Sequence, residues 1–223
     1  MSRYENKFII NSLTENSRLN QFIKNEFTKT YNKRKINNIY FDSDNSSCLF
    51  QNLDGNYHKI KIRLRWYDEE NIFFLELKGK KGSVGFKKVE EVFLKPDMKL
   101  DIRKIKSKRL SDILIDIPSD FIKFKSFKAV SFNSYLRNYF SNKKTGVRLT
   151  VDSSLSFVNL RIGTNLYKKK LKIVELKFKA ENNLEIAYSK LIKEMPSDIS
   201  KFSKFSNSSV INTFYWKFRM VLK

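Results

Sequence analysis

The chain has 223 residues, one cysteine and 41% hydrophobic residues, and its 45 Lys and Arg outnumber its 23 Asp and Glu to give a formal net charge of +22. The lone Cys48 excludes an internal disulfide framework, and no apolar run is long enough for a membrane-spanning helix. The 20 Phe and 10 Tyr supply a sizeable core and exclude a disordered chain, while the cationic excess points to phosphate-rich partners: nucleic acid, nucleotides, polyphosphate or anionic lipid.

In chain order, strand signals fall near 3–10, 35–43, 58–67, 71–79, 84–94, 128–140, 146–157 and 170–179, each rich in β-branched or aromatic residues. Between the first two, Thr14 is the predicted cap of a helix through about 28, with Leu19, Phe22, Ile23 and Phe27 at helical spacing. DEEN at 68–71 and KGKKGSVG at 78–85 carry turn chemistry, so the third, fourth and fifth strands form consecutive hairpins. Residues 95–127 read as a Lys-rich excursion with short helices near 106–114 and 118–125. A helix over Asn183 to Glu194 and an aromatic-rich one over 208–221 follow the last strand. The expectation is one domain over 1–223, mainly β (α+β): an eight-stranded antiparallel closed β-barrel with flanking helices. The start, MSRYENKF, lacks an apolar signal region, so a cytoplasmic protein is expected. An outer-membrane barrel is set aside on the same ground and because of the interleaved helices.

Six of the strands share one property. RYENKF (Arg3, Glu5, Lys7), KIKIRLRWY (Lys59, Lys61, Arg63, Arg65), FLELKGK (Glu76, Lys78, Lys80), SYLRNYF (Tyr135, Arg137), VRLTVD (Arg148, Thr150, Asp152) and IVELKFK (Glu175, Lys177) each place charged or polar groups in phase on one face, with apolar residues on the other. One such face is an ordinary solvated surface; six together describe a charged barrel interior, and a cation-lined tunnel needs a polyanion. At an effective dielectric of 20, two like charges about 4 Å apart repel by roughly 4 kcal/mol. Glu5, Glu76 and Glu175 offset part of that repulsion, and their hard oxygens suit magnesium or manganese. His58 has no evident Ser or Cys partner and is read as structural or surface. No zinc spacing, Walker loop or dinucleotide fingerprint occurs, and GSVG at 82–85 reads as a turn.

The order of these motifs resembles the polyphosphate polymerase domain of the vacuolar transporter chaperone (VTC) family, within the triphosphate tunnel metalloenzyme superfamily. RYENKF is similar to the family's first tunnel strand, NIYFDS (Tyr40, Phe41, Asp42) to its second, and KFSKF (Lys201, Lys204) to the element that closes over the tunnel mouth. The resemblance implies metal-dependent transfer, with Mn2+ or Mg2+, of the γ-phosphoryl of ATP onto polyphosphate. It implies phosphate clamping by Lys7, Arg63, Arg65, Lys78, Arg137 and Arg148. Lys61, Lys88, Lys177, Lys201, Lys204 and Tyr135 would bind substrate, and Glu175, with Glu5 and Glu76, the metal. Strand parity favours Lys88 over Lys87. Hydrolytic relatives begin Glu-x-Glu-x-Lys, whereas Arg3 stands at the first Glu here, which favours chain binding over hydrolysis. The rival readings are a tunnel triphosphatase and a non-catalytic polyanion- or nucleic-acid-binding module; no specific nucleic-acid partner is expected, because most Phe and Tyr lie on the core face.

Overall fold

The computed structural model describes residues 3–54, 58–81, 84–98, 102–163, 165–179 and 184–210. In chain order these form β1 (Arg3–Ile10), α1 (Leu13–Glu26), β2 (Thr28–Asp42), α2 (Ser47–Leu53), β3 (His58–Tyr67), β4 (Phe73–Lys81), β5 (Val84–Val92), α3 (Ile102–Ile105) and α4 (Leu110–Ile113). A 3-10 turn (Ser119–Phe124), β6 (Lys128–Ser141), β7 (Arg148–Asn159), β8 (Tyr167–Lys169), β9 (Lys172–Lys179), α5 (Leu184–Lys193) and α6 (Lys204–Val210) follow.

The chain divides into two compact units, each built from separate segments. The first comprises Met1–Lys35, Tyr135–Leu155 and Lys168–Phe202; the second comprises Ile36–Ser134, Ser156–Tyr167 and Ser203–Lys223. The long strands β2 and β6 give one half to each. In the first unit the strand order is β1-β9-β7-β6-β2, and in the second, which takes the end of β7, β7-β6-β2-β3-β4-β5. The pairings β1 with β9, β7 with β9, β2 with β3, β3 with β4 and β4 with β5 are antiparallel. The antiparallel sheet with flanking helices is therefore as expected. Its closure into a barrel is not shown: β1 and β5 stand at the ends of the strand order, and the short β8, which pairs with β7, had no sequence expectation.

Period-two alternation sets both cores. In the first unit Phe8, Ile10, Leu149, Val151, Val174, Leu176 and Phe178 present one strand face to Leu19 and Phe22 of α1 and to Tyr188 and Leu191 of α5. In the second unit Ile39, Phe41, Ile62, Leu64, Leu75 and Leu77 bury against Ile105, Leu110, Ile113 and Phe121 from the excursion. The cap of α1 is Ser12 rather than Thr14: its Oγ accepts from the Glu15 amide at 3.1 Å, and the Glu15 carboxylate accepts from the Ser12 amide at 3.1 Å. Thr14 lies inside the helix. The short helices of the excursion sit at Ile102–Ile105, Leu110–Ile113 and Ser119–Phe124, and the expected final helix is described only through Val210; residues 211–223 lie outside the described residues. No helix among the described residues is long and apolar enough to cross a membrane.

Candidate functional site

With the apolar faces committed to the cores, the opposite faces carry the charge, and each unit holds one cluster. In the second unit, antiparallel register places Arg63 opposite Glu76 and Tyr40 opposite Arg63. Arg63 donates from Nε to Glu76 Oε2 at 2.8 Å, and from Nη1 to the Tyr40 hydroxyl at 3.3 Å. Arg65 Nη1 and Lys87 Nζ reach Glu76 Oε1 at 3.3 and 3.4 Å. One buried carboxylate thus meets three cations. Burial alone raises the Glu76 pKa, but Arg63 and Arg65 outweigh it and hold the group down at about 2. The same charge field acts on Tyr40: burial raises its phenol pKa, while Arg63, Arg65 and Lys204 together lower it below the ordinary value.

A neutral chain extends from this cage. Arg65 Nε donates to Asn38 Oδ1 at 2.9 Å, and Asn38 Nδ2 donates to Asn133 Oδ1 at 2.9 Å; both asparagines are fully buried. The remaining amide donor, Asn133 Nδ2, is buried without a partner among the described residues. Lys61 Nζ donates to Ser203 Oγ at 3.1 Å, beside Lys204 at the start of α6, where the Phe205 ring lies tilted against Tyr40 with centroids 5.0 Å apart.

In the first unit, Arg137 donates from Nε and Nη2 to the two oxygens of fully buried Asp152 at 2.6 and 2.7 Å, a bidentate pair. Its Nη2 lies 3.6 Å from Glu175 Oε2, and its guanidinium sits 5.3 Å from the Tyr135 ring centroid. Burial disfavours the Arg137 charge, yet Asp152 and Glu175 raise its pKa well above the ordinary value. Lys177 makes a close ion pair with Glu175 and lies 4.0 Å from Glu5 Oε2; Lys7 Nζ lies 3.6 Å from Glu5 Oε1 and donates to the Phe202 carbonyl at 3.2 Å. Burial lowers the Lys177 pKa, and the Arg137 charge adds to it, more than Glu175 and Glu5 restore. Thr150, opposite Glu175 in register, keeps a buried hydroxyl with no partner among the described residues.

Most expected site residues therefore fall into one cluster or the other, with three exceptions of kind. Lys88 is on the wrong face: it lies opposite Leu77, turns away from Glu76 and pairs with Asp120, while Lys87 takes the place expected of it. Glu76, expected beside Glu5 and Glu175 at the metal, has its Oε2 held by Arg63 and its Oε1 by Arg65 and Lys87. Lys78, Arg148 and Lys201 are exposed, in register or in line with the clusters rather than inside them. Asp42 of the second-strand motif has a structural role: its carboxylate accepts from the Cys48 and Leu49 amides at 2.8 and 3.0 Å and so caps α2. Sequence alone gives no role to Tyr40, Lys87, Asn38, Asn133 or Asp152. Phase with Arg63 and Arg137 was the available signal for Tyr40 and Asp152.

Among the described residues no three His, Cys, Asp or Glu side chains form a metal-holding group. A divalent ion bound alongside phosphates needs only one or two carboxylates, the rest of its shell being phosphate oxygens and water. Glu5 and Glu175, both turned to Lys177, fit that requirement; the Glu76 oxygens lie closer to their cations, at 2.5, 3.3 and 3.4 Å, than those of Glu5, at 3.6 and 4.0 Å.

An antiparallel β protein that holds Arg, Lys, Asp and Glu in phase on its strand faces, apart from its cores, is built to manage concentrated charge. The chain belongs to the VTC domain family, whose sequence pattern matches residues 2–211. The fold is shared with a putative adenylyl cyclase from Hippeastrum, HpAC1, described as having a dominant triphosphatase activity: TM-score 0.56, 16% identity, covering 93% of this chain and 94% of that one. A putative adenylate cyclase from Bacillus halodurans is similar to the same degree: TM-score 0.55, 16% identity, 93% and 98% covered. No curated protein matches the chain by sequence.

Proposed function

We propose that this chain is a polyphosphate polymerase that transfers the γ-phosphoryl group of ATP onto a growing polyphosphate chain, as one functional domain in the cytoplasm. The observation that carries this reading is the Glu76 cage. Arg63, Arg65 and Lys87 converge on a single carboxylate, so the strand face keeps a positive excess that an added anion neutralises. Closure of the strands into a tunnel belongs to this proposal, as does the metal.

In the reaction, a terminal oxygen of the acceptor chain attacks the γ-phosphorus in line, the bond from that phosphorus to the bridging oxygen breaks, and ADP leaves with the electron pair. The attacking phosphate is already ionised, so no general base is needed. Positioning and charge stabilisation carry the catalysis. Arg63 and Arg65 clamp phosphate oxygens through planar forks; Arg137 is held rigid by Asp152 and presents its charge beside Lys177. Lys7, Lys61, Lys78, Lys87, Arg148, Lys201 and Lys204 neutralise the chain, and Tyr135 supports Arg137 through its ring face. Glu5 and Glu175 would hold Mn2+ or Mg2+, which supplies charge neutralisation at phosphate oxygens when bound.

A triphosphatase is the second reading, favoured by the activity named for the Hippeastrum protein. Incubating the pure protein with ATP and manganese and sizing the product on a gel separates the two. Long chains with stoichiometric ADP support the polymerase; orthophosphate without chains turns the reading to hydrolysis.

A further inference from the structure

The charged face of the first unit does not end at Arg137. Two residues further along β6, on the same side of the strand and roughly 7 Å away, stands Tyr139. Its ring meets that of Tyr31 from β2 edge-on, with centroids 5.8 Å apart and an interplanar angle of 87°. Tyr31 is 70% exposed, against 47% for Tyr4. Lys29 and Lys33, its neighbours at alternate positions of β2, are exposed too. Among the described residues, the first unit's apolar cluster takes Phe140 from the same stretch of β6 and includes neither tyrosine. An aromatic face left open to water among cations, next to a buried arginine proposed to meet phosphate, has the make-up of a stacking platform for a nucleobase.

We propose that Tyr31 and Tyr139 form the base-binding subsite for a nucleoside triphosphate, which rests on the reading of Arg137 and its neighbours as a phosphate site. The base stacks on the exposed face of Tyr31, and Tyr139 braces that ring edge-on. The ribose spans the two-residue step along β6, and the phosphates run from Arg137 toward Lys177 and Lys7. Stacking is indifferent to base identity, so the subsite selects nucleotides over inorganic triphosphate without selecting ATP over GTP. Lys29 and Lys33 add attraction for the anion. The occupant is a single nucleotide rather than a nucleic-acid strand, because the platform is one aromatic pair on a face that otherwise carries charge.

The test measures dissociation constants of ATP, GTP and inorganic triphosphate for the full chain and for Tyr31→Ala, Tyr31→Trp and Tyr139→Ala. Tyr31→Ala weakens ATP and GTP by roughly 5- to 150-fold, the range expected for one base on one aromatic ring, and leaves triphosphate within about twofold. Tyr31→Trp keeps nucleotide binding, and its added fluorescence is quenched by ATP and not by triphosphate, a readout that a purely structural role of the ring would not give. The proposal is overturned if Tyr31→Ala weakens ATP and triphosphate alike, if it weakens neither, or if a single-stranded oligothymidine binds the wild type as tightly as ATP and loses as much in the variant. Absence of triphosphate binding by the wild type removes the phosphate reading itself; if ATP then still binds and still depends on Tyr31, the base subsite stands alone.

Discussion

Glu76 is the residue on which the second unit's charge arrangement turns. Its ordinary carboxyl pKa of 4.5 falls to about 2 in the fold because Arg63 and Arg65 outweigh its burial. A depressed folded pKa means the contribution to stability is complete above about pH 4.5 and is lost as pH falls through about 2; its size is about 3 kcal/mol. Urea unfolding of wild type and Glu76→Gln should therefore differ most above pH 5 and converge toward pH 2. The variant should also bind triphosphate more tightly, since its three cations lose their resident anion. Arg63→Ala should lower activity about 10- to 150-fold, the cost of roughly 1.5–3 kcal/mol for a charge-assisted contact, while substitution of the exposed Lys104, Lys104→Ala, should change it little. Equal losses in steady-state turnover would remove the assignment of Arg63.

The residues around Glu76 also show what sequence could and could not say. Arg63, Arg65 and Glu76 were legible because strand parity alone puts them in phase. The choice between Lys87 and Lys88 was not, because adjacent lysines differ only by the register of the β4–β5 hairpin, which places Lys87 opposite Lys78 and turns Lys88 to the other face. Asp152 was visible as an in-phase residue, but its bidentate hold on Arg137 depends on the geometry of two strands meeting.

Elements were legible where their signal is local. β1 and β3 follow their alternating patterns to the residue, whereas β2 begins earlier than expected, its first half being polar on both faces and held by pairing rather than burial. The helix α2 gave no periodic signal, since a carboxylate six residues before Cys48 supplies its cap and its packing comes from Tyr40 and Phe205. For α1 the capping box is the local device, and Ser12→Ala should cost about 1 kcal/mol in thermal or urea unfolding. In the β4–β5 hairpin, Gly79 lies beneath Phe86: a Cβ there would meet the ring at 2.2 Å. Gly79→Ala should therefore destabilise the wild type but be neutral or stabilising in a Phe86→Ala background, where strand propensity alone decides. A double-mutant cycle by chemical denaturation checks this; additivity would show that the ring does not need the glycine.

At the scale of the whole molecule the net charge of +22 is a cost of folding that a bound polyanion removes. Two discontinuous units, each with its own apolar core and its own charged strand face, carry that charge, and the long strands β2, β6 and β7 give residues to both. The direct test of the central claim, that a charged strand face of this kind holds an extended phosphate chain, is a thermal-shift series with orthophosphate, triphosphate, long polyphosphate and single-stranded DNA. A ligand at 100 times its dissociation constant stabilises the fold by about 2.7 kcal/mol. For a chain of this size that raises Tm by about 5–11 °C. Triphosphate and polyphosphate should reach that shift while orthophosphate at equal total charge falls well short, because it cannot bridge successive cations. A shift from orthophosphate or DNA equal to that from triphosphate would contradict the account and leave a generic anion binder.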